Sequence, residues 1–220
     1  MTSALAQLFV ENERKQISAA VQSAESNTAG EIVPYVVERS DDYEIALWRG
    51  GLALSLLVIS ALLCVRLFSP LWFNLRFTQT AMLILFGQGL GMAVVHFIPG
   101  VKRFFAGGQA LEQCVARRAA QAFLSEEIFR TRERTGILIF LSLFEHKAVV
   151  LGDAGINAKV KQQDWNEVVQ IIVRGMRQRQ PATALIAAIQ KCGELLQRKE
   201  VTRRPDDTDE LSDTLRSAEK

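Results

Sequence analysis

The chain has 220 residues, and its 26 Lys and Arg nearly balance its 24 Asp and Glu, which argues against a nucleic-acid partner. Its three cysteines show no metal-ligand spacing and each has an apolar helical context, so we expect reduced thiols packed in a core, in a cytosolic rather than an oxidising setting. The amino terminus lacks the basic start and apolar core of a signal peptide, and we expect no cleavage.

An amphipathic helix and a strand come first. Apolar residues recur at helical spacing from Glu11 to about Ala24, behind a charged first turn, which predicts a helix with one buried face. The run from Glu31 to Glu38 is rich in residues that favour strands. Its Pro34 cannot donate a ladder hydrogen bond, so we expect this strand at a sheet edge or where the missing donor is harmless.

Two long apolar runs follow. The first has no charged residue between Arg49 and Arg66 and can extend over residues 45–68, while the second runs from Phe77 to Pro99. A bilayer needs about 20 residues, and aromatic residues at the ends of both runs are typical of membrane interfaces. Ser69-Pro70 breaks the helix between them. We predict a transmembrane hairpin in contact with the lipid bilayer; the alternative is a buried helical hairpin of a soluble protein.

The flanking charges predict an orientation. Basic residues lie on the outer flanks of the two runs, and the connecting loop from Leu67 to Leu75 has none between Arg66 and Arg76. By the positive-inside rule we expect a two-span protein of the inner (plasma) membrane with both termini in the cytoplasm. Glycines at 87, 89 and 91 allow close helix contact within the hairpin or with another copy, so a homo-oligomer stays open.

The remaining elements complete a small α/β domain. An apolar stripe from Leu111 to Phe123 predicts a helix, and the runs Gly136 to Phe144 and Ala148 to Leu151 predict a β-hairpin at the centre of the fold. Two more amphipathic helices are expected, one opened by Trp165, a core anchor on its apolar stripe, and one by Pro181.

Beyond Arg198 apolar residues are too sparse for a core, and an acidic cluster lies at Asp206 to Glu210, so we predict a disordered tail. The predicted division is therefore a first helix and strand, a membrane hairpin, the remainder of the α/β domain, and a polar tail, over residues 1–44, 45–99, 100–198 and 199–220.

Several short blocks appear in a recognisable order. They are Thr28-x-Gly30-Glu31-Ile32-Val33, then Arg134-Thr135-Gly136-Ile-Leu-Ile-x-x-Ser142-x-x-Glu145, then Asp153-x-Gly155-Ile156-Asn157, then Trp165 at the start of a helix. Together they resemble the TPM domain family, which is named for thylakoid, photosystem-repair and receptor-modulating members. The resemblance covers roughly residues 11–43 and 109–196, with the apolar hairpin inserted after the first strand, as in a bacterial membrane-bound branch.

The resemblance implies an α/β sandwich, a small β-sheet flanked by helices, often tethered to a membrane. Members of the family are linked to the assembly, repair or modulation of membrane complexes, to divalent-cation binding and, in one plant branch, to an acid phosphatase activity. This sequence departs from the lumenal members, because it lacks their amino-terminal extension and acidic loop clusters.

No motif in the sequence indicates a catalytic chemistry. The sequence has no phosphate-cradling Gly-Lys-Ser/Thr loop, and its 2 histidines are too few for a His-rich metal set. His146, between the two strands of the predicted hairpin, is expected to be exposed. We therefore predict no catalytic residue.

The best candidates for a polar site are Glu31, Asp153 and Asn157, which the family-like blocks place near strand ends. Oxygen ligands of this kind can hold calcium or magnesium weakly, so we predict a weak divalent-cation site and no required cofactor. The alternative is that Glu31 is a surface charge at a strand end and that Asp153 forms a turn with its own backbone. We expect Gly136 to serve close packing and Gly155 a positive φ.

The anchor and the missing catalytic set predict a non-enzymatic protein whose cytosolic domain binds or helps assemble a membrane-associated protein partner. A membrane-bound, divalent-cation-dependent phosphatase-like hydrolase is the alternative.

Overall fold

The structure, a computed structural model, describes residues 9–68, 76–201 and 210–218. Short 3-10 turns lie at Ile128–Arg130 and Gln162–Trp165. The helices and strands of the described residues, in chain order, are α1 (Glu11–Glu25), β1 (Glu31–Val37), α2 (Glu44–Phe68), α3 (Phe77–Phe97), α4 (Pro99–Ala106), α5 (Gly108–Ser125), β2 (Gly136–Ser142), β3 (Lys147–Gly152), α6 (Ala154–Asn157), α7 (Asn166–Arg177), α8 (Pro181–Arg198) and β4 (Arg216–Ala218).

The chain forms two compact units. Unit 1 combines Met1–Asp41 with Glu112–Lys220, and unit 2 is Asp42–Leu111. The chain therefore leaves unit 1 after β1 and returns to it within α5. The predicted helix break at Ser69-Pro70 lies outside the described residues.

Unit 1 is built on a mixed four-stranded sheet in the order β3-β2-β1-β4. The predicted β-hairpin is confirmed: β2 pairs antiparallel with β3, from Ile137 opposite Gly152 to Ser142 opposite Lys147. β1 pairs in parallel with β2, from Glu31 opposite Gly136 to Val37 opposite Ser142. Helices cover both faces of this sheet, so the predicted α/β class holds.

Pro34 occupies a position where the missing donor does no harm. The Glu31 N–H donates to the Thr135 carbonyl at 3.2 Å, so odd-numbered residues of β1 direct their backbone groups to β2 and Pro34 faces the other side. On that side β4 pairs only with residues from Tyr35 to Val37. β1 is thus an interior strand, and Pro34 lies just before the residues that pair with β4. Of the two predicted positions, the structure has the one in which the missing donor is harmless.

Two apolar layers enclose the sheet. The layer under α5 contains Val33, Val115, Ala119, Leu138 and Phe140. The layer under α1, α7 and α8 is larger and contains Ile17, Ile32, Ile139, Trp165, Ile172, Leu185 and Cys192. Trp165 is fully buried, which confirms its predicted role as a core anchor. All three cysteines are free, but only Cys192 is buried, whereas Cys64 is exposed. The expectation of core packing is therefore wrong for Cys64, because its helix presents it outward.

The predicted disordered tail is wrong for residues 210–218. β4 pairs in parallel with β1, and Leu215 is only 7% exposed. This stretch of unit 1 is mostly polar, but its two leucines, Leu211 and Leu215, pack against the apolar layers on the two faces of the sheet. These two contacts are enough to hold it in place. Residues 202–209, which hold most of the acidic cluster, lie outside the described residues.

Unit 2 contains a close pair of long helices. A Cβ placed on Gly51 of α2 would lie 2.8 Å from the Met92 side chain, and one on Gly87 of α3 would lie 2.9 Å from Val58. Gly89 differs, since a Cβ there would meet no described atom within 4 Å. Gly51 and Gly87 thus serve contact within the pair, whereas Gly89 does not.

Both of these helices are long and apolar enough to cross a membrane. Their most apolar windows have mean hydropathies of 2.3 for α2 and 1.6 for α3, and only 11% and 17% of those windows are buried. The short helix α4 follows at once; within unit 2, Arg49 Nη1 donates to the Phe105 and Ala106 carbonyls at 3.0 and 3.2 Å. That guanidinium satisfies the last carbonyls of α4.

Candidate functional site

Asp153 is a buried capping and ion-pairing residue. Its Oδ1 accepts a hydrogen bond from the Ala154 N–H at 2.7 Å, at the start of α6. Its Oδ2 lies 2.7 Å from Arg134 Nε, and the Asp153 side chain is 6% exposed. A buried carboxylate is stabilised by such partners, so Asp153 holds the β3–α6 turn against the residues that precede β2.

The glycines of this region are required by close backbone approach. A Cβ on Gly155 would lie 2.8 Å from the Arg134 carbonyl oxygen, and a Cβ on Gly136 would collide with the carbonyl of Ile128. Gly155 does not have a positive φ, so the prediction for it is wrong. The strained backbone lies instead at Arg134, with φ of 58°.

Glu31 lies at the same end of the sheet as Asp153 but on a different strand. Glu31 begins β1, Asp153 follows β3, and β2 runs between them, so their backbones are two strand spacings or about 10 Å apart. Glu31 is 8% exposed, and its Oε2 accepts a hydrogen bond from the Leu211 N–H at 3.3 Å. It is therefore a buried strand-end carboxylate that contacts the carboxyl-terminal segment.

Asn157 lies on α6, one turn from Asp153. Its Nδ2 donates to the Gly152 carbonyl at 2.5 Å, and its N–H donates to the Asp153 carbonyl at 2.8 Å. The structure thus brings Asp153 and Asn157 together and keeps Glu31 apart. Within residues 9–68, 76–201 and 210–218, no three His, Cys, Asp or Glu side chains form a metal-type cluster. The divalent-cation site stays a prediction.

A second polar cluster lies where the parallel strands β1 and β2 end. Glu145 is 4% exposed, and its Oε1 accepts a hydrogen bond from the Ser40 N–H at 2.8 Å. Ser142 donates its hydroxyl to Glu145 Oε2, and the Ser40 and Ser142 hydroxyls are 2.8 Å apart. The family-like block contains both Ser142 and Glu145, but only the fold brings Ser40 to them. These contacts tie the end of β1 to the β2–β3 turn.

A thiol lies beside the same strand ends. Cys114 Sγ donates to Asp41 Oδ2 at 3.3 Å, and Arg117 Nη2 donates to the same oxygen at 2.8 Å. Burial raises the pKa of the Cys114 thiol, and the hydrogen bond to Asp41 raises it further. Such a thiol stays protonated near neutral pH and is a poor nucleophile.

Glu25 has an unusual environment that the sequence does not predict. Its Oε1 accepts a hydrogen bond from the Ile32 N–H at 2.5 Å. Burial, together with the nearby acids Glu31 and Asp213, raises the pKa of Glu25 to about 9. An acid near the end of an amphipathic helix gives no local signal of this, because its partners come from β1 and the carboxyl-terminal segment.

A groove of about 750 Å³ runs between α1 and residues 212–215. Its walls carry both signs of charge, Glu11 and Asp213 against Arg14 and Lys15. This groove is open, and its lining includes Asp213 but not Asp153.

The architecture defines a mixed α/β protein in which a pair of long apolar helices interrupts one folded unit. No family model matches the sequence, and a search of curated proteins finds no match. Among solved structures, the chain is similar to the NMR structure of the BA42 protein from the psychrophilic bacterium Bizionia argentinensis sp. nov., with a TM-score of 0.57 and 19% sequence identity over 96% of this chain and 95% of that one. At this level of identity the similarity shows a shared fold alone.

Proposed function

We propose that this chain is a membrane-anchored, TPM-like module that binds or helps assemble a membrane-associated protein partner. Unit 2 is the anchor and unit 1 is the binding part. The proposed localisation is the inner membrane, with two spans and both termini in the cytoplasm. The proposed role is to bind a protein partner rather than to catalyse a reaction.

The observation that carries this proposal is the exposed apolar exterior of α2 and α3. Leu52, Leu56 and Leu57 on α2 are 58%, 53% and 62% exposed, and Leu85 and Phe86 on α3 are 68% and 69% exposed. Apolar side chains of this size, exposed along two long helices, are stable in contact with lipid. Their contact with water would cost free energy. A core helix of a soluble protein would instead have most of this surface buried.

The way in which the chain returns to unit 1 supports the orientation. The parallel pair of β1 and β2 is formed by strands that lie before and after unit 2 in the sequence. Two spans bring a chain back to the side from which it left, so both strands can fold together. The basic residues on the outer flanks of the spans favour the cytoplasmic side.

The polar chemistry of unit 1 supports a binding rather than a catalytic role. The Asp153 carboxylate caps a helix and pairs with Arg134, the Glu145 carboxylate accepts two hydrogen bonds, and the Cys114 thiol has a raised pKa. Groups with these partners hold the fold, and a reaction would have to break those contacts.

Cross-linking in cells followed by affinity purification from detergent-solubilised membranes tests the proposal. We expect a discrete partner to be captured by the full chain but not by a control comprising residues 42–111 alone, which retains the apolar pair without unit 1. A full chain recovered only as a free monomer under every condition would argue against it. Equal capture by the control would place the interaction in the anchor and not in unit 1.

A further inference from the structure

The short helix α4 is attached to the long helices of unit 2 at both of its ends. α3 ends at Phe97, Ile98 has an extended backbone with φ of −109° and ψ of 101°, and Pro99 opens α4. A proline at this position starts a new helix and prevents the preceding one from continuing. At the other end, the two hydrogen bonds from Arg49 Nη1 tie the last carbonyls of α4 to α2. The position of α4 within unit 2 is therefore fixed.

The guanidinium of Arg49 keeps donors available after it has made these bonds. A guanidinium has five N–H donors, and both hydrogen bonds of Arg49 use Nη1. Within the part of the chain that the structure describes, Arg49 Nε and Nη2 have no hydrogen-bond partner, and no carboxylate pairs with them. Two N–H groups on one edge of a guanidinium match the oxygens of a phosphate or a carboxylate. Arg49 is thus held in place with that edge open.

Lys102 provides a second cation on α4. It precedes Ala106 by four residues, so it lies on the same face of the helix, one turn before the carbonyl that Arg49 binds. Over residues 9–68, 76–201 and 210–218, no carboxylate forms an ion pair with Lys102. The exposed Arg117 of unit 1, by contrast, pairs with Asp41 at 2.8 Å. Two cations without a counter-charge at one end of unit 2 favour a bound anion.

Large apolar side chains are exposed next to these cations. Phe97 at the end of α3 and Phe104 on α4 are both 79% exposed, and Ile98 between the helices is 48% exposed. The Phe104 ring meets the Phe105 ring edge to face, with the centroids 5.4 Å apart. Phenyl rings and basic side chains on a short helix at the end of a span are typical of the membrane interface. An anion bound here therefore has apolar surface beside it.

We propose that this end of unit 2 is a binding site for an anionic membrane lipid. The Arg49 edge and the Lys102 ammonium bind the headgroup phosphate, and Phe97 and Phe104 contact the glycerol and the upper acyl chains. A free phosphate ester would satisfy the cations but would leave the rings without an apolar partner. The inference rests on the proposed membrane anchor and deepens it, because it assigns a class of lipid to one end of that anchor. Each basic residue beside an anionic lipid surface strengthens binding by about fivefold.

Native mass spectrometry of the full chain in a neutral maltoside detergent tests this inference. The measured quantity is the apparent Kd of the first bound lipid, for dioleoyl phosphatidylglycerol and for the zwitterionic dioleoyl phosphatidylcholine. The test variant is Arg49→Gln with Lys102→Gln. The matched control is Arg66→Gln with Arg76→Gln, which removes the same charge at the opposite end of the helix pair, in the last turn of α2 and at the start of α3.

We expect the wild-type chain to bind phosphatidylglycerol at least about tenfold more tightly than phosphatidylcholine. The test variant should lose most of this preference, and the control should keep it. Helix content from circular dichroism reports whether each variant is folded. If the test variant has lost helix, Lys102→Gln alone replaces it, because Lys102 bonds no other described side chain, and its preference should fall about fivefold.

Three results overturn the inference: equal wild-type affinity for the two lipids, an equal loss in the control, or an unchanged preference in a folded test variant. Displacement of phosphatidylglycerol by an equal concentration of glycerol phosphate also overturns it, because the ligand would then be a free phosphate ester. A chain that only detergent extracts from membranes, and that shows no lipid preference, contradicts this inference and leaves the proposed anchor intact. Recovery of the chain without detergent contradicts the anchor itself.

Discussion

Gly91 of α3 lies so close to Gly50 of α2 that a Cβ on Gly91 would be 2.6 Å from the Gly50 carbonyl oxygen. Because this obstacle is backbone, it cannot be displaced by a side-chain rotation. The two long helices of unit 2 are therefore in contact at glycine positions, as is common for helices that pack in a membrane, where small residues permit close approach.

The first prediction uses this contact. Gly91→Leu should separate α2 from α3 and cost about 1–3 kcal/mol in the packing of unit 2. Gly89→Leu is the control, because its position has open space. The thermal stability of the detergent-solubilised chain measures both variants.

An equal loss in the two variants would contradict the packing of α2 on α3. A molecular mass that changes only with Gly89→Leu would reveal that the outer face of α3 joins a second copy, which is the homo-oligomer left open by the sequence.

The second prediction concerns the start of β2. Gly136→Ala should destabilise unit 1 by about 3 kcal/mol, because the added Cβ would collide with the Ile128 carbonyl. Denaturant unfolding followed by the fluorescence of buried Trp165, with the other tryptophans replaced by Phe, measures this. Gly108→Ala, which adds a methyl group in open space, should leave the unfolding midpoint almost unchanged. A tolerated Gly136→Ala would show that this backbone contact is wrong.

The third prediction concerns Asp153. Asp153→Asn keeps a helix cap but loses the ion pair with Arg134, and Asp153→Ala loses both. We expect Asn to cost about 1 kcal/mol and Ala about 2 kcal/mol of unfolding free energy, since a cap alone contributes about 1 kcal/mol. The same tryptophan reporter measures both. If the two variants are equally stable, the cap has no energetic role.

The fourth prediction is that unit 1 loses stability as the pH rises. Between pH 4.5 and about 9, Glu25 holds its proton in the folded chain and has lost it in the unfolded chain. The unfolded state then binds fewer protons, so the free energy of unfolding falls with rising pH across this window and becomes flat above it. Glu25→Gln should flatten that part of the stability profile. Parallel profiles for the wild type and the variant would exclude Glu25 as the titrating group.

The spacing of apolar residues in the sequence predicts the elements that are long enough to repeat that spacing. Periodicity and length predict the antiparallel pair of β2 and β3, the amphipathic helices and the two apolar runs. In each of these elements, regularly spaced apolar residues mark the surface that is buried. β4 gives no such signal, since its three residues are stabilised by strand β1, far away in the sequence.

The candidate site was predictable only in part. Asp153 and Asn157 are neighbours in sequence, so their shared turn could be expected, whereas Glu31 reaches Leu211 instead of joining them. The sequence gives no sign of the raised pKa of Glu25, because that shift comes from burial and from acids that other segments bring close. The positive φ predicted for Gly155 is wrong because sequence alone does not distinguish a glycine that needs a positive φ from one that needs a close backbone approach.

Site-specific labelling of intact cells tests whether two spans leave both parts of unit 1 in the cytoplasm. Single cysteines at residue 27, residue 72 or residue 146, in a background without the native cysteines, are exposed to a membrane-impermeant maleimide. We expect residue 72 to be labelled from outside, whereas residues 27 and 146 should be labelled only after the membrane is permeabilised. Labelling of residues 27 and 146 from opposite sides, or recovery of the whole chain in the soluble fraction, would contradict it.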